Sequence, residues 1–243
     1  MLADFPSVAK NPLVLAPITS AKKMGCGLLS VRLSSHTGPR ISRLLRILLS
    51  AWLNIIAAAN AESDKLIGIN DILHAHYAEY GRSFFSRYDY EEVPSEGANA
   101  LVAHLDEALV TGSLNNTTHT SSLTSGTFRV AELYNFEYTD PIDKSVSSKQ
   151  GQVITFSDGS RVVFRLSGTG SQGATVRMYV ERYVPPEAGP AELSRDAADG
   201  LKGLIEVALG LSKLKEFLGR DKPTVITASN LPIHHISLSH HLV

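Results

Sequence analysis

The residues best suited to chemistry lie in a short segment of serine, glycine and threonine, SGTGSQG, at residues 167–173. Its glycines permit the positive φ angles with which backbone N–H groups converge on an anion, and its hydroxyls can donate to the same anion. Arg165 precedes this SGTGSQG segment and Arg177 follows it. A guanidinium group is planar and permanently charged, and two of its N–H groups can donate in parallel to phosphate oxygens. These residues therefore indicate a phosphate-binding loop.

The same residues also suit an ordinary glycine-rich hairpin turn. Alternating apolar runs flank the SGTGSQG segment, RVVFRL before it and ATVRMYVERY after it, and such alternation is typical of β-strands. The local pattern alone leaves the turn and the anion site open. The segment lacks the GxxxxGK[ST] signature, so a Walker-type nucleotide site is not expected.

Hydrophobic periodicity predicts the elements that must position this segment. Five strands are predicted, with the sequences FFSRYDYEEV, FRVAELYNFEYT, QVITF, SRVVFRL and ATVRMYVERYV, and a turn at Asp158 and Gly159 is predicted to join QVITF to SRVVFRL. Helices are predicted at Ile41 to Asn60, Ile69 to Tyr80, Glu96 to Val110 with Ser95 as its cap, and Ala191 to Leu218. Gly112 to Thr127 is predicted to be a flexible surface loop.

Strands and helices that segregate in this way indicate an α+β protein, in which an antiparallel sheet carries helices packed on one face. The chain has 243 residues, of which 43% are apolar, and this is sufficient for a substantial core. The formal net charge of −1 gives no reason to expect nucleic acid or an anionic membrane as a partner. The single cysteine, Cys26, excludes an internal disulfide and fits a reducing compartment, so a cytoplasmic location is expected.

Four collinear segments resemble the C-terminal domain of the phosphoglucomutase branch of the phosphohexomutase family. They are YGRSFFSRYDYEEV at residues 80–93, DPIDKSVSSKQG at 140–151, FSDGSRVVFRLSGTGSQGATVRMYVERY at 156–183 and SKLKEFLGRDKPTVIT at 212–227. The resemblance implies a TATA-box-binding-protein-like antiparallel sheet with helices on one face. It also implies that residues 83–227 form the fourth, phosphate-binding domain and that residues 51–82 are a helical remnant of the third, α/β domain.

Members of this family interconvert glucose 1-phosphate and glucose 6-phosphate by way of a phosphoserine, a glucose 1,6-bisphosphate intermediate and Mg²⁺. Their last domain contributes the loop that grips the substrate's phosphate. The resemblance therefore favours the anion site over the simple turn. It carries over as phosphate ligands the residues Arg165, Ser167, Gly168, Thr169 and Arg177.

The chain departs from the family pattern in what it lacks. It contains no TASHNPGG-type phosphoserine loop, no DGDGDR-type metal loop and no GEESFG sugar loop. The resemblance thus implies no catalytic residue and no Mg²⁺ ligand in this chain, which is expected to be inactive alone and to pack normally on the missing domains I–III. The alternative is a non-catalytic module that binds phosphate or a phosphosugar.

The two ends of the chain are interpreted as foreign to the domain. One choice of synonymous codons for the family segment CGEESFGTGSDHIREKDG, read one base later, encodes VAKNPLVLAPITSAKKM, which is Val8 to Met24. Residues 1–50 are therefore predicted to be a mistranslated or disordered segment, and residues 228–243 a disordered tail. Sequencing the transcript would test the first prediction.

Other polar groups have plainer interpretations. Asp89, Glu91 and Glu92 lie on a predicted strand near Arg87, and we expect them to form a solvated face. His74 and His76 are two apart on a predicted helix and are not expected to share a metal ion.

Overall fold

The structure is a computed structural model that describes residues 39–170 and 173–228, with side chains described for 46–168 and 173–228. Its helices are α1 (Pro39–Ala59), α2 (Ile69–Tyr80), α3 (Ser95–Thr111), α4 (Pro190–Leu193), α5 (Ala197–Ser212) and α6 (Leu214–Leu218). Its strands are β1 (Arg82–Val93), β2 (Thr118–Thr120), β3 (Thr127–Asn135), β4 (Tyr138–Thr139), β5 (Val146–Ser147), β6 (Gln152–Phe156), β7 (Arg161–Gly170), β8 (Gly173–Val184) and β9 (Val225–Ala228).

Seven of these strands form one sheet in the order β2-β3-β6-β7-β8-β1-β9, and every neighbouring pair is antiparallel. The strands β4 and β5 form a separate hairpin. The predicted antiparallel sheet is confirmed, including the turn at Asp158 and Gly159 that joins β6 to β7. Strand β9 was not predicted, and it pairs with β1 on the side opposite β8.

The core lies between one face of the sheet and the helices α3 and α5. Alternate residues of β7 and β8 point to this face, and Phe164, Val176 and Met178 are each at most 1% exposed. They pack with Leu101 of α3 and with Leu201 of α5. Burial of each large apolar side chain stabilises the fold by roughly 2 kcal/mol. The intervening residues of the same strands therefore point to the opposite face, away from these helices.

The predicted helices are found at the expected positions, but some of their boundaries differ from the prediction. Residues 191–218 do not form one long helix, because the Asp196 side chain accepts a hydrogen bond from Ala198 N at 2.8 Å and begins a new helix there. Lys213, with φ of 49°, then ends α5 in a left-handed conformation. Ser95 is the first residue of α3 rather than its cap, since the residue before the helix is Pro94.

Helix α1 begins at Pro39, within the segment predicted to be foreign to the domain, and several of its apolar side chains are exposed. Ile47, Leu49 and Leu53 are 58 to 59% exposed. Residues 1–38 and 229–243 lie outside the described residues, so the interpretations of Val8 to Met24 and of the C-terminal tail stay predictions. Within the described part of the chain, no helix is both long and apolar enough to span a membrane.

The prediction that residues 112–127 form a surface loop was only partly correct, because the segment contains β2 (Thr118–Thr120) and a carboxylate on α5 contacts its middle part. Glu206 accepts hydrogen bonds from the hydroxyl groups of Ser121, at 2.6 Å, and Ser122, at 2.5 Å, and from Leu123 N, at 3.1 Å. These three donors lower the pKa of Glu206 below its ordinary value of 4.5. The loop is thus attached to α5 by a partner that lies more than eighty residues away in sequence.

The attachment predicts pH-dependent protection of the loop. A carboxyl group whose pKa is lowered on folding stabilises the folded loop above its ordinary pKa, and this stabilisation is lost as the pH falls through the lowered value. We therefore expect protection of the Leu123 N–H against hydrogen exchange to decrease as the pH falls below about 4.5. We expect Glu206→Gln to show the same loss already at pH 7.

The Val163 N–H, on a buried strand of the sheet, reports global unfolding and serves as the internal control. Glu192→Gln is the matched variant, because Glu192 is an exposed carboxylate that pairs only with Arg195 among the described residues. Unchanged protection of Leu123 in Glu206→Gln would show that the carboxylate does not hold the loop.

Candidate functional site

The SGTGSQG segment forms the end of the β7–β8 hairpin. Ser167 is paired with Thr175 and Thr169 with Ala174, so the register shifts at Gly168 and leaves that residue in a β-bulge. Gly168 has a φ of 70°, and a Cβ placed on it would contact nothing within 4 Å. Glycine is therefore required here by the backbone conformation and not by a shortage of space. Residues 171 and 172, which separate β7 from β8 in the sequence, lie outside the described residues.

The strand register brings the two predicted arginines side by side. Arg165 of β7 lies directly opposite Arg177 of β8, and Arg177 lies directly opposite Asp89 of β1. Directly opposed residues of antiparallel strands project from the same face. Because Phe164 and Val176 project towards the helices, this row of Asp89, Arg177 and Arg165 projects from the other face of the sheet.

The remaining predicted ligands lie at the end of the same hairpin. Ser167 is half-buried and follows Arg165 by two residues, so its side chain shares the face of the arginines. Gly168 is exposed. Thr169 belongs to β7 through its backbone, and its side chain is not among those described. The fold thus places Arg165, Arg177, Ser167 and the Gly168 bulge together, although part of the predicted loop is strand.

Sequence reasoning missed one residue of this row. Asp89 was expected on a solvated face, but it is only 3% exposed. Its Oδ2 lies 3.0 Å from Nη2 of Arg87, and its Oδ1 lies 3.8 Å from Nε of Arg177. The burial arises because β8 and β9 both pair with β1 at this residue, and β9 was not predicted. The spacing of Arg87 and Asp89, two apart on a strand, was the only local signal of the ion pair.

The row carries an excess of positive charge. Arg87 lies two residues before Asp89 on β1 and pairs with it, so we count it with the row: Arg87, Arg165 and Arg177 contribute three positive charges and Asp89 one negative charge, which gives a net charge of +2. Among the described residues, no carboxylate lies within ion-pair distance of Arg165. Like charges directly opposite each other on neighbouring strands are destabilising, so the Arg165 and Arg177 pair favours the presence of an anion.

A cleft of about 410 Å³ opens beside Gly168 on the helix side of the sheet. Asp106 accepts a hydrogen bond from Nε2 of Gln152 there, at 3.0 Å, and Lys149 also lines the cleft. Leu166, which projects towards the helices, forms part of its wall. The cleft is therefore separated by the sheet from the side chains of Arg165 and Arg177.

The described residues do not fit a Mg²⁺ site, since no group of three or more His, Cys, Asp or Glu side chains among them is placed to hold a metal ion. His74 is exposed on α2, whereas His76 is half-buried and its ring centroid lies 4.8 Å from that of Tyr80. Burial lowers the pKa of His76. No step that depends on a metal is assigned to this part of the chain.

Comparison with known proteins gives matches over most of this chain. The family model described as the C-terminal domain of phosphoglucomutase-1 matches residues 82–224. Phosphoglucomutase 1, chloroplastic, of Marchantia polymorpha is 49% identical over 180 residues, which are 73% of this chain and 26% of that protein. Phosphoglucomutase, cytoplasmic, of Populus tremula is 47% identical over 181 residues, which are 73% of this chain and 30% of that protein.

A solved structure is also similar to most of this chain. The open form of the exocytosis-sensitive phosphoprotein pp63/parafusin, a phosphoglucomutase from Paramecium, superposes with a TM-score of 0.59 at 37% identity, covering 74% of this chain and 28% of that one. The chain thus spans between 26 and 30% of the length of these relatives. The matched family model covers more than half of the chain, including both arginines and the glycine bulge between them. The chain therefore belongs to the phosphoglucomutase family, of which it contains the C-terminal domain.

Proposed function

We propose that the end of the β7–β8 hairpin binds the phosphate group of glucose 1-phosphate or glucose 6-phosphate. The proposed ligands are Arg165, Ser167, Gly168, Thr169 and Arg177. The observation that carries the proposal is the pairing of Arg165 with Arg177 on one face of the hairpin, beside the positive-φ bulge at Gly168.

The physical argument rests on charge and on donor geometry. A phosphate monoester carries close to two negative charges at pH 7, which matches the net charge of +2 in the arginine row. Each guanidinium can donate a parallel pair of hydrogen bonds to phosphate oxygens. The bulge at Gly168 frees its backbone from the regular ladder, and the hydroxyl of Ser167 adds a further donor.

Within the family reaction, the role proposed for this chain is to hold and orient the substrate. Phosphoryl transfer depends largely on positioned charge, so a fixed phosphate group places the rest of the sugar in a defined direction. The phosphoserine and the Mg²⁺ that stabilises developing charge on the transferred phosphate would be supplied by other domains of a complete phosphoglucomutase. The interconversion of glucose 1-phosphate and glucose 6-phosphate, through glucose 1,6-bisphosphate, is thus a proposal for the complete enzyme.

We also propose a domain organisation for the chain. Residues 83–227 are proposed to be domain IV and residues 51–82 a helical remnant of domain III. The match of the family model to residues 82–224 supports the bounds proposed for domain IV. The exposed apolar side chains Leu53 on α1 and Ile69 and Tyr80 on α2 support a contact with domains I–III as the natural partner. A cytoplasmic location is proposed from the cysteine content, and import of the chain into isolated chloroplasts would contradict it.

The proposed function is tested by calorimetric titration of the full chain with glucose 1-phosphate, glucose 6-phosphate and inorganic phosphate. We expect all three to bind and unphosphorylated glucose not to bind, because the phosphate group supplies the contacts. Binding that is no stronger for glucose 1-phosphate than for glucose would refute the proposed phosphate site.

We also expect the chain alone to show no mutase turnover with glucose 1-phosphate, Mg²⁺ and glucose 1,6-bisphosphate, because its sequence contains no TASHNPGG-type loop to supply the phosphoserine nucleophile. Turnover that a Ser→Ala change within this chain abolishes would contradict the prediction. Domains I–III of a relative, added in trans, separate two possibilities. Restored turnover supports the mutase role, and binding without restored turnover supports a non-catalytic phosphosugar-binding module.

A further inference from the structure

We infer that Asp89 is a positioning residue for the phosphate site: its buried carboxylate fixes the guanidinium of Arg177 so that the free edge of that group faces the ligand. The inference rests on the proposed function and adds a residue to it that is not among the proposed ligands. It also explains why a carboxylate is found beside an anion site, where its charge by itself repels the ligand.

The first support is the placement of the carboxylate. Asp89 is on β1, directly opposite Arg177 on β8, and Arg177 is directly opposite Arg165 on β7. The three side chains therefore share one sheet face, with Arg177 in the middle. Asp89 contacts Arg177 from the side away from Arg165, so its ion pair does not occupy the space between the two arginines.

The second support is that the two oxygens of the Asp89 carboxylate face different arginines. Oδ2 faces Arg87, at 3.0 Å, and Oδ1 faces Nε of Arg177, at 3.8 Å. Contact with Nε engages one edge of the guanidinium plane. No hydrogen bond joins the Nη groups of Arg177 to any residue that the structure describes, and the side chain remains 34% exposed. These Nη groups are therefore available to a ligand.

The third support is burial. The Asp89 side chain is 5% exposed, and its Oδ1, like Nε of Arg177, is buried without a hydrogen bond to the described residues. A charge is expensive to bury unless it is paired, so the ion pairs with the two arginines offset the burial of the Asp89 carboxylate, and Asp89 in turn restrains the arginines. Arg165 has no such restraint among the described residues. The site thus combines one fixed arginine with one adaptable arginine.

Two effects of Asp89 on phosphate affinity oppose each other, and the sign of a mutational effect decides between them. If Asp89 only reduces the positive charge at the phosphate site, its neutralisation will strengthen phosphate binding. If it positions Arg177, the same change will weaken binding, because Arg177 must then be ordered by the ligand at a cost in side-chain entropy. We expect positioning to dominate, since the carboxylate contacts Arg177 directly.

The test compares Asp89→Asn with Glu181→Gln in the full chain. Both changes remove one carboxylate from the same sheet face, but Glu181 pairs with Arg161 and lies four residues along β8 from Arg177, about 13 Å away. By titration with inorganic phosphate, we expect Asp89→Asn to raise Kd about tenfold and Glu181→Gln to change it less than twofold. An equal or lower Kd for Asp89→Asn than for the native chain overturns the inference, while phosphate binding by the native chain leaves the proposed function standing.

A second measurement on the native chain keeps the inference testable if Asp89→Asn fails to fold. We expect ¹⁵N relaxation to show a restricted Nε–Hε group in Arg177 and a mobile one in Arg165, both without ligand. Equal mobility of the two groups overturns the inference. Absence of phosphate binding by the native chain would instead refute the proposed function and the phosphate role of Asp89 with it.

Discussion

Replacement of Arg165 by glutamine is expected to weaken the binding of glucose 1-phosphate about a hundredfold. Two parallel charge-assisted hydrogen bonds contribute roughly 3 kcal/mol beyond their loss of hydration, and this corresponds to two orders of magnitude in Kd. Arg165→Lys is expected to lose about tenfold, because it keeps the charge and loses the planar fork. Calorimetric titration measures both.

The change should leave the fold intact, and this distinguishes it from a general loss of structure. Arg165 lies opposite Arg177, so its removal relieves a like-charge contact, and we expect the melting temperature not to decrease. Arg129→Gln is the matched control, since it removes the same charge from an exposed position on β3. If Arg129→Gln weakens binding as much as Arg165→Gln, the effect is one of net charge and the assignment of Arg165 as a ligand is wrong.

Replacement of Gly97 by alanine is expected to destabilise the domain by about 3 kcal/mol. A Cβ on Gly97 would lie 2.1 Å from the backbone oxygen of Phe217, so α3 and α6 would have to separate. Overpacking of this kind typically costs 1–3 kcal/mol. Alanine is favoured over glycine inside a helix by about 1 kcal/mol, so propensity alone predicts the opposite sign. Urea denaturation of the purified chain measures the free energy of unfolding.

Gly210→Ala is the control for the propensity contribution. Gly210 is also inside a helix, α5, but a Cβ there would contact nothing within 4 Å. We expect this change to stabilise the chain by about 0.5 to 1 kcal/mol. A stabilising effect of Gly97→Ala of similar size would show that α3 and α6 do not approach as closely as the structure indicates.

Much of the fold could be predicted because its signals are local. Alternation along RVVFRL and ATVRMYVERY predicted β7 and β8, and the helical spacing of Leu201, Leu204 and Leu211 predicted the buried face of α5, which the structure confirms. The end points of helices were less predictable. Asp196 and Lys213 divide residues 191–218 into separate helices, because a side-chain cap and a left-handed residue outweigh an uninterrupted apolar stripe.

The prediction of a loop at residues 112–127 was only partly correct, for a different reason. Its serines, threonines and glycines are typical of mobile surface chain, and nothing in the local sequence indicates a partner. Glu206, which holds Ser121 and Ser122, lies on α5 and meets them only once the helix has packed on the sheet. Composition therefore predicted that this segment lies at the surface, but it did not predict the hydrogen bonds that attach the segment to α5.

The sequence by itself determined the family, the antiparallel sheet and the two arginines that flank a glycine-rich segment, because each depends on residue types and spacings within a short stretch of chain. The roles of those arginines as phosphate ligands stay predictions. Only the tertiary structure decided that Arg165 lies opposite Arg177, that Asp89 is buried beside them and that Gly97 contacts Phe217. The position of Arg165 opposite Arg177 depends on the register of the β7–β8 hairpin, which shifts at the Gly168 bulge. The other two features depend on the pairing of β1 with both β8 and β9 and on helix packing, which join residues far apart in sequence and which no local pattern encodes.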